Sequence, residues 1–181
     1  MNKKVLVMAV ALIAIAMLAT PFVGCVIAGK GQEKEYFKLY IVGAPDDTTG
    51  EIWWTPDPVT GPMKHGRNVE WGFTLVLQVT IGDTTYSSPD VSYSCTIDAD
   101  YNVVTLVGHQ RVRETVTFYC FSEPATLEIL TIGSLVHEGV VFTGHGTGAL
   151  EGVKVHGTTW AILLPPLAVT REGTVMGWPT A

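Results

Sequence analysis

The chain has no cluster of basic residues, no CxxC pair, no HExxH segment, no serine in a G-x-S-x-G elbow, and no apolar pattern of helical period beyond its first 28 residues. Each absence excludes a class. Phosphates demand lysine and arginine, so an acidic chain without a basic patch excludes nucleic acid as a partner, and anionic membrane surfaces with it. Without CxxC or HExxH there is no zinc-type ligand spacing, and without the elbow there is no serine-hydrolase nucleophile. Five histidines (His65, His109, His137, His145, His156) are scattered with no i, i+2 pair. Asp98-Ala99-Asp100-Tyr101-Asn102 begins like a calcium loop, but position six is Val103 and position twelve is His109, where that loop needs glycine and glutamate. A tight hairpin turn accounts for the same residues. No metal and no cofactor are expected, and no catalytic residue is assigned.

The amino terminus is set apart from the rest. Asn2-Lys3-Lys4 is a short basic start, Val5 to Ala19 is unbroken apolar sequence, and Thr20-Pro21 breaks any helix. Val26-Ile27-Ala28 offers a small-residue cleavage site before the polar Gly29-Lys30-Gly31-Gln32-Glu33. Residues 1–28 therefore read as a secretory signal. Alternatively they form an uncleaved membrane anchor, since the run is long enough to span a bilayer, or a lipid attachment site at Cys25. All three place residues 29–181, one domain, outside the cytoplasm, secreted or tethered to the outer face of the membrane. Without residues 1–28, nine basic residues face seventeen acidic ones, a net charge of −8. In an oxidising compartment the remaining cysteines, Cys95 and Cys120, are a disulfide candidate. Two buried free thiols are the alternative.

What the chain does contain is alternation. Val69, Trp71, Phe73, Leu75, Leu77, Val79 and Ile81 are apolar at every second position, which predicts one long, half-buried strand. Shorter alternating or β-branched runs follow at Tyr36–Val42, Val91–Asp98, Val103–Val107, Arg111–Phe121 and Thr126–Ile132, separated by turn clusters. Thr55–Asn68, with three prolines and two glycines, reads as a lid, binding loop or flap. Thr170-Arg171-Glu172-Gly173 reads as a turn, and the double-proline run Ala161–Val169 as a cap over one barrel end or an exposed apolar patch. Strands with turn signals every eight to twelve residues mean an all-β fold: an antiparallel closed barrel of about eight strands, or a β-sandwich.

The segment Val140–Trp160 organises the rest. Gly144, Gly146, Gly148 and Gly152 fall on one strand phase and leave that face nearly bare. Such glycines belong where another segment approaches closely or the sheet coils sharply. His145 and Glu151 lie on the opposite phase. With the glycine face outward they point into the barrel as a candidate ligand-binding or acid–base pair; with it inward they are solvated.

Gly146-Thr147-Gly148-Ala149-Leu150-Glu151-Gly152-Val153 resembles the late-strand motif of allene oxide cyclase and dirigent-like barrels, over about eight residues of 181. That resemblance implies an eight-stranded antiparallel barrel, often trimeric, with an apolar cavity and no cofactor. The families' catalytic residues have no matching positions elsewhere in this chain, and none is carried over. The whole chain also looks like secreted prokaryotic proteins. The expected function is binding of a small apolar or amphipathic ligand. The alternatives are a cofactor-free isomerase or cyclase, and a structural or adhesive surface protein that forms a homo-oligomer. Whether the chain is an enzyme stays open, with binding favoured, and contact with a membrane is expected only through the amino-terminal segment.

Overall fold

Alternating segments become strands, ten among the described residues: β1 (Lys34–Pro45), β2 (Glu51–Thr55), β3 (Met63–Ile81), β4 (Thr84–Ser87), β5 (Val91–Asn102), β6 (Gly108–Phe118), β7 (Ala125–Ser134), β8 (Val140–Gly148), β9 (Lys154–Ile162) and β10 (Leu167–Met176). This computed structural model describes residues 33–179 apart from 124, 135–138 and 163–166. The expected signal or anchor, His137 and the centre of the Ala161–Val169 run lie outside the described residues. In the order β1-β10-β9-β8-β7-β6-β5-β3 every neighbour pairs antiparallel, and β3 returns to pair with β1. The result is a closed eight-stranded antiparallel barrel, not a sandwich. Closure covers most of the ladder edges on which other chains could grow. β2 and β4 are extra strands, both laid against β3.

β3 is long because it serves four neighbours. Its first half pairs with β2 and β5, its second half with β1 and β4. Against β1 the register shifts twice, between Val42 and Gly43 and between Ala44 and Pro45. A bulge inserts an unpaired residue, bends the strand and re-aims its side chains. This corrects the simple alternation: Val69, Leu77, Val79 and Ile81 are buried as expected, whereas Phe73 and Leu75 are exposed. Between Glu70 and Gln78, β3 is paired only on its β1 side. Two further expectations are corrected here. Met63–Asn68 is strand, so the proline-rich loop shrinks to residues 56–62, and residues 170–173 lie inside β10 rather than in a turn.

One end of the barrel is sealed. Tyr86, Phe118, Phe121 and Trp178 pack as an aromatic cluster with ring centroids 5.3–6.1 Å apart. Higher up, Phe37, Gly173, Gly157 and Phe142 form one row across β1, β10, β9 and β8. The two glycines leave the space in which the Phe37 and Phe142 rings meet at 5.8 Å; a Cβ on Gly157 would sit 2.1 Å from the Glu172 carbonyl oxygen. The β8–β9 turn folds inward, carrying Leu150 to complete burial, worth about 1.5–3 kcal/mol for such a side chain. Here the glycine stripe divides. Gly146 lies in the strand, where a Cβ would strike Leu150, while Gly148 at the end of β8 and Gly152 in the turn take positive φ. Lys34 of β1 faces Met176 of β10 at this sealed end.

Candidate functional site

The core fills only part of the lumen. Towards the other end lies a cavity of about 240 Å³, with an apolar wall formed by Val69, Trp71, Ile97, Val112 and Val169 among others. At its rim Lys64 Nζ bonds Asp47 Oδ2 at 2.8 Å. The loop before β3 is tied down nearby. Buried Asn102 donates through Nδ2 to the Thr60 and Gly61 carbonyls, at 3.0 and 2.9 Å, and accepts from the Val104 and Thr105 amides at 2.9 Å. The expected lid is therefore a fastened segment.

Two charged side chains meet where the cavity joins the core. β10 and β6 stand four places apart in the ring of eight, on opposite walls. Arg171 reaches across the lumen from β10 and donates through Nε to Glu114 Oε2 of β6 at 2.5 Å, and through Nη1 to Thr159 Oγ1 at 2.8 Å. Tyr93 donates its hydroxyl proton to the other Glu114 oxygen. Both charged residues are buried, at 3% and 2% exposure. An eight-stranded barrel is just wide enough for side chains to bridge, and a buried charge persists only with a hydrogen-bonded partner. Burial alone would lower the Arg171 pKa, but the adjoining Glu114 carboxylate and its hydrogen bond outweigh that and raise it. The pair crosses the lumen as a bar, and Arg171, Thr159, Tyr93 and Cys95 face the cavity above it.

Cys95 and Tyr93 share an apolar surround. Burial pushes the Cys95 thiol up to about 12, and burial, reinforced by the neighbouring Glu114 charge, raises Tyr93 well above its ordinary value. Both therefore stay protonated at neutral pH. Cys95 is a free thiol, so the expected Cys95–Cys120 disulfide does not form. The register shows why. Cys95 faces Glu114 in mid-barrel, and β6 runs four residues further to Phe118, ~13 Å at a strand's rise, before Cys120 follows. A disulfide needs α-carbons within about 7 Å. Cys120 packs against the core at the sealed end.

The glycine face of β8 turns inward, and His145 and Glu151 are accordingly outside. His145 Nε2 lies 3.5 Å from Glu128 Oε2 on the outer wall, both side chains more than half exposed, while Glu151 is exposed in the β8–β9 turn. Neither lines the cavity. Glu114, Arg171, Tyr93 and Thr159 were not singled out by the sequence. A signal exists for Glu114, which shares the buried phase of Val112, Val116 and Phe118. Arg171 holds the same kind of position between Val169 and Val175, masked by turn-forming neighbours.

A second polar chain lies on the outer wall. Thr55 Oγ1 is 3.0 Å from His65 Nε2, and His65 Nδ1 is 2.7 Å from Asp100 Oδ1. The order hydroxyl, imidazole, carboxylate is that of a nucleophile relay. Asp100, however, also takes both forks of Arg67, at 3.0 and 2.8 Å, and Trp53 stacks on His65 at 5.0 Å with Arg67 over its ring. Neither Thr55 nor His65 borders the cavity. The cluster clamps β2 and β5 to β3. Among the described residues no group of histidine, cysteine and carboxylate side chains could hold a metal ion. Comparison with family models, curated proteins and solved structures yields no match.

Proposed function

We propose that this chain is an extracytoplasmic binding protein whose barrel takes up a small apolar or amphipathic ligand. The observation that carries the reading is the cavity itself: apolar walls above a floor of buried, hydrogen-bonded polar groups. Ligand sites combine mostly apolar lining with a few fixed polar groups in this way. At about 240 Å³ the space is slightly below the ~300 Å³ where drug-sized sites begin, so the ligand is small. Tyr93 and Cys95 are held protonated, so neither is a ready base, which favours binding over the isomerase alternative. The resemblance to cofactor-free barrels bears on the fold and does not choose between these activities.

Native mass spectrometry of protein purified from its own source without delipidation tests it. One small molecule per chain, released on denaturation, is expected, and Trp71→Phe should reduce the fluorescence change when that molecule is added back. A clean apo mass, together with no saturable quenching by apolar probes, would refute the proposal. A defined oligomer with that result would move weight to a structural role.

A further inference from the structure

Provided the cavity is a binding site, as proposed above, its floor specifies the head group of the ligand. A guanidinium carries five N–H donors. In Arg171, Glu114 takes Nε–H and Thr159 takes one proton of Nη1; among the described residues no hydrogen bond uses Nη2. The residue is 3% exposed and lines the cavity, so the space that its unused donors face is the cavity. The Thr159 oxygen is occupied as an acceptor, which leaves its own proton free. The floor is thus rich in donors.

It is also without net charge. The Arg171 charge is matched at contact by Glu114, and at the rim Lys64 is matched by Asp47. A carboxylate head group would add a second negative charge close to Glu114 in a poorly solvated site, where like charges disfavour one another. An ammonium head would bring a second cation against Arg171, where like charges again disfavour one another. A neutral oxygen acceptor meets neither cost, and gives a partner to a donor that no hydrogen bond among the described residues uses.

We infer that the ligand is electrically neutral, apolar over most of its length, and bears one oxygen acceptor, such as a carbonyl, ester or ether, that accepts from Arg171 Nη2. The cavity equals the liquid volume of about eight waters, room for the head group and most of a ten-carbon chain, with the tail reaching into the mouth.

A matched series at pH 7.5 tests this: decan-2-one, decanoate, decylammonium and decane, each displacing an apolar fluorescent probe from the intact protein. Decan-2-one is expected to bind one per chain, at least tenfold more tightly than decanoate or decylammonium and several-fold more tightly than decane. In the double variant Glu114→Gln/Arg171→Met its advantage over decane should vanish while decane still binds. The wild-type series decides even if that variant does not fold. Decanoate binding as tightly as the ketone would overturn neutrality and leave the cavity reading intact. Ketone and alkane binding equally would overturn the acceptor seat. Failure of the probe and of every member would overturn the cavity reading itself.

Discussion

Replacing Arg171 with methionine should destabilise the barrel far more than replacing both members of the buried pair. At a charge separation of about 4 Å and an effective dielectric of about 20, Coulomb attraction contributes ~4 kcal/mol. Both groups are almost fully buried, so little of this is lost to solvent screening. Removing one partner strands the other, and such substitutions typically cost about 3–5 kcal/mol, whereas replacing both members is often close to neutral. We therefore expect Arg171→Met to lose about 3–5 kcal/mol and Glu114→Gln a comparable amount. The double variant should stand within about 2 kcal/mol of the wild type, because the introduced amide can still accept from Tyr93 and the bar no longer carries charge. Urea unfolding followed by tryptophan fluorescence measures all four proteins, with an unchanged slope as the check that only stability has moved. The coupling energy should exceed about 2 kcal/mol. If the two single effects add to within ~0.5 kcal/mol, as they do for independent sites, the bar across the lumen contributes nothing and the account of the floor is wrong.

Four further outcomes follow from three other parts of the fold. Gly157→Ala should destabilise by about 1–3 kcal/mol through overpacking, because the new Cβ meets the Glu172 carbonyl at 2.1 Å; an unchanged thermal midpoint would contradict the close approach of β9 and β10. Cys95 should resist iodoacetamide at pH 8 in the native protein and react once unfolded, as peptide mapping will show. Its thiol value is raised on folding, from 9.0 to about 12, so the linked stability is complete below pH 9 and should fall as pH climbs from there towards 12. Asn102→Ala should leave the barrel folded but free residues 56–62, read as new protease cleavage confined to that loop; cleavage no faster than in the wild type would show that Asn102 is not the latch.

The barrel was legible because its walls alternate. β5, β6 and β7 lie within a few residues of the runs Val91–Asp98, Arg111–Phe121 and Thr126–Ile132, since one side of each strand faces a dry core. The site was not legible because it depends on which strands stand opposite. Nothing local in Thr170-Arg171-Glu172-Gly173 shows that β10 will face β6, so Arg171 read as a turn residue and Glu114 passed as one charge in a mixed run. Phe73 and Leu75 failed for a related reason: bulges arise between partners, and β3 alone does not reveal its register against β1. The glycines were read as a place of close approach, which holds at Gly146 and Leu150, but the direction in which their bare face turned decided against His145 and Glu151.

The first strand also sets an orientation. Lys34 enters the wall beside Met176 at the sealed end, and twelve residues of β1, roughly 40 Å of extended chain, separate that entry from Pro45 at the cavity. With the strand tilt of a barrel this leaves roughly 30 Å between Lys34 and the opening. The described chain thus enters the wall at the plugged base, and the mouth of the cavity lies at the far end. Anything that enters the cavity would do so at the end remote from Lys34.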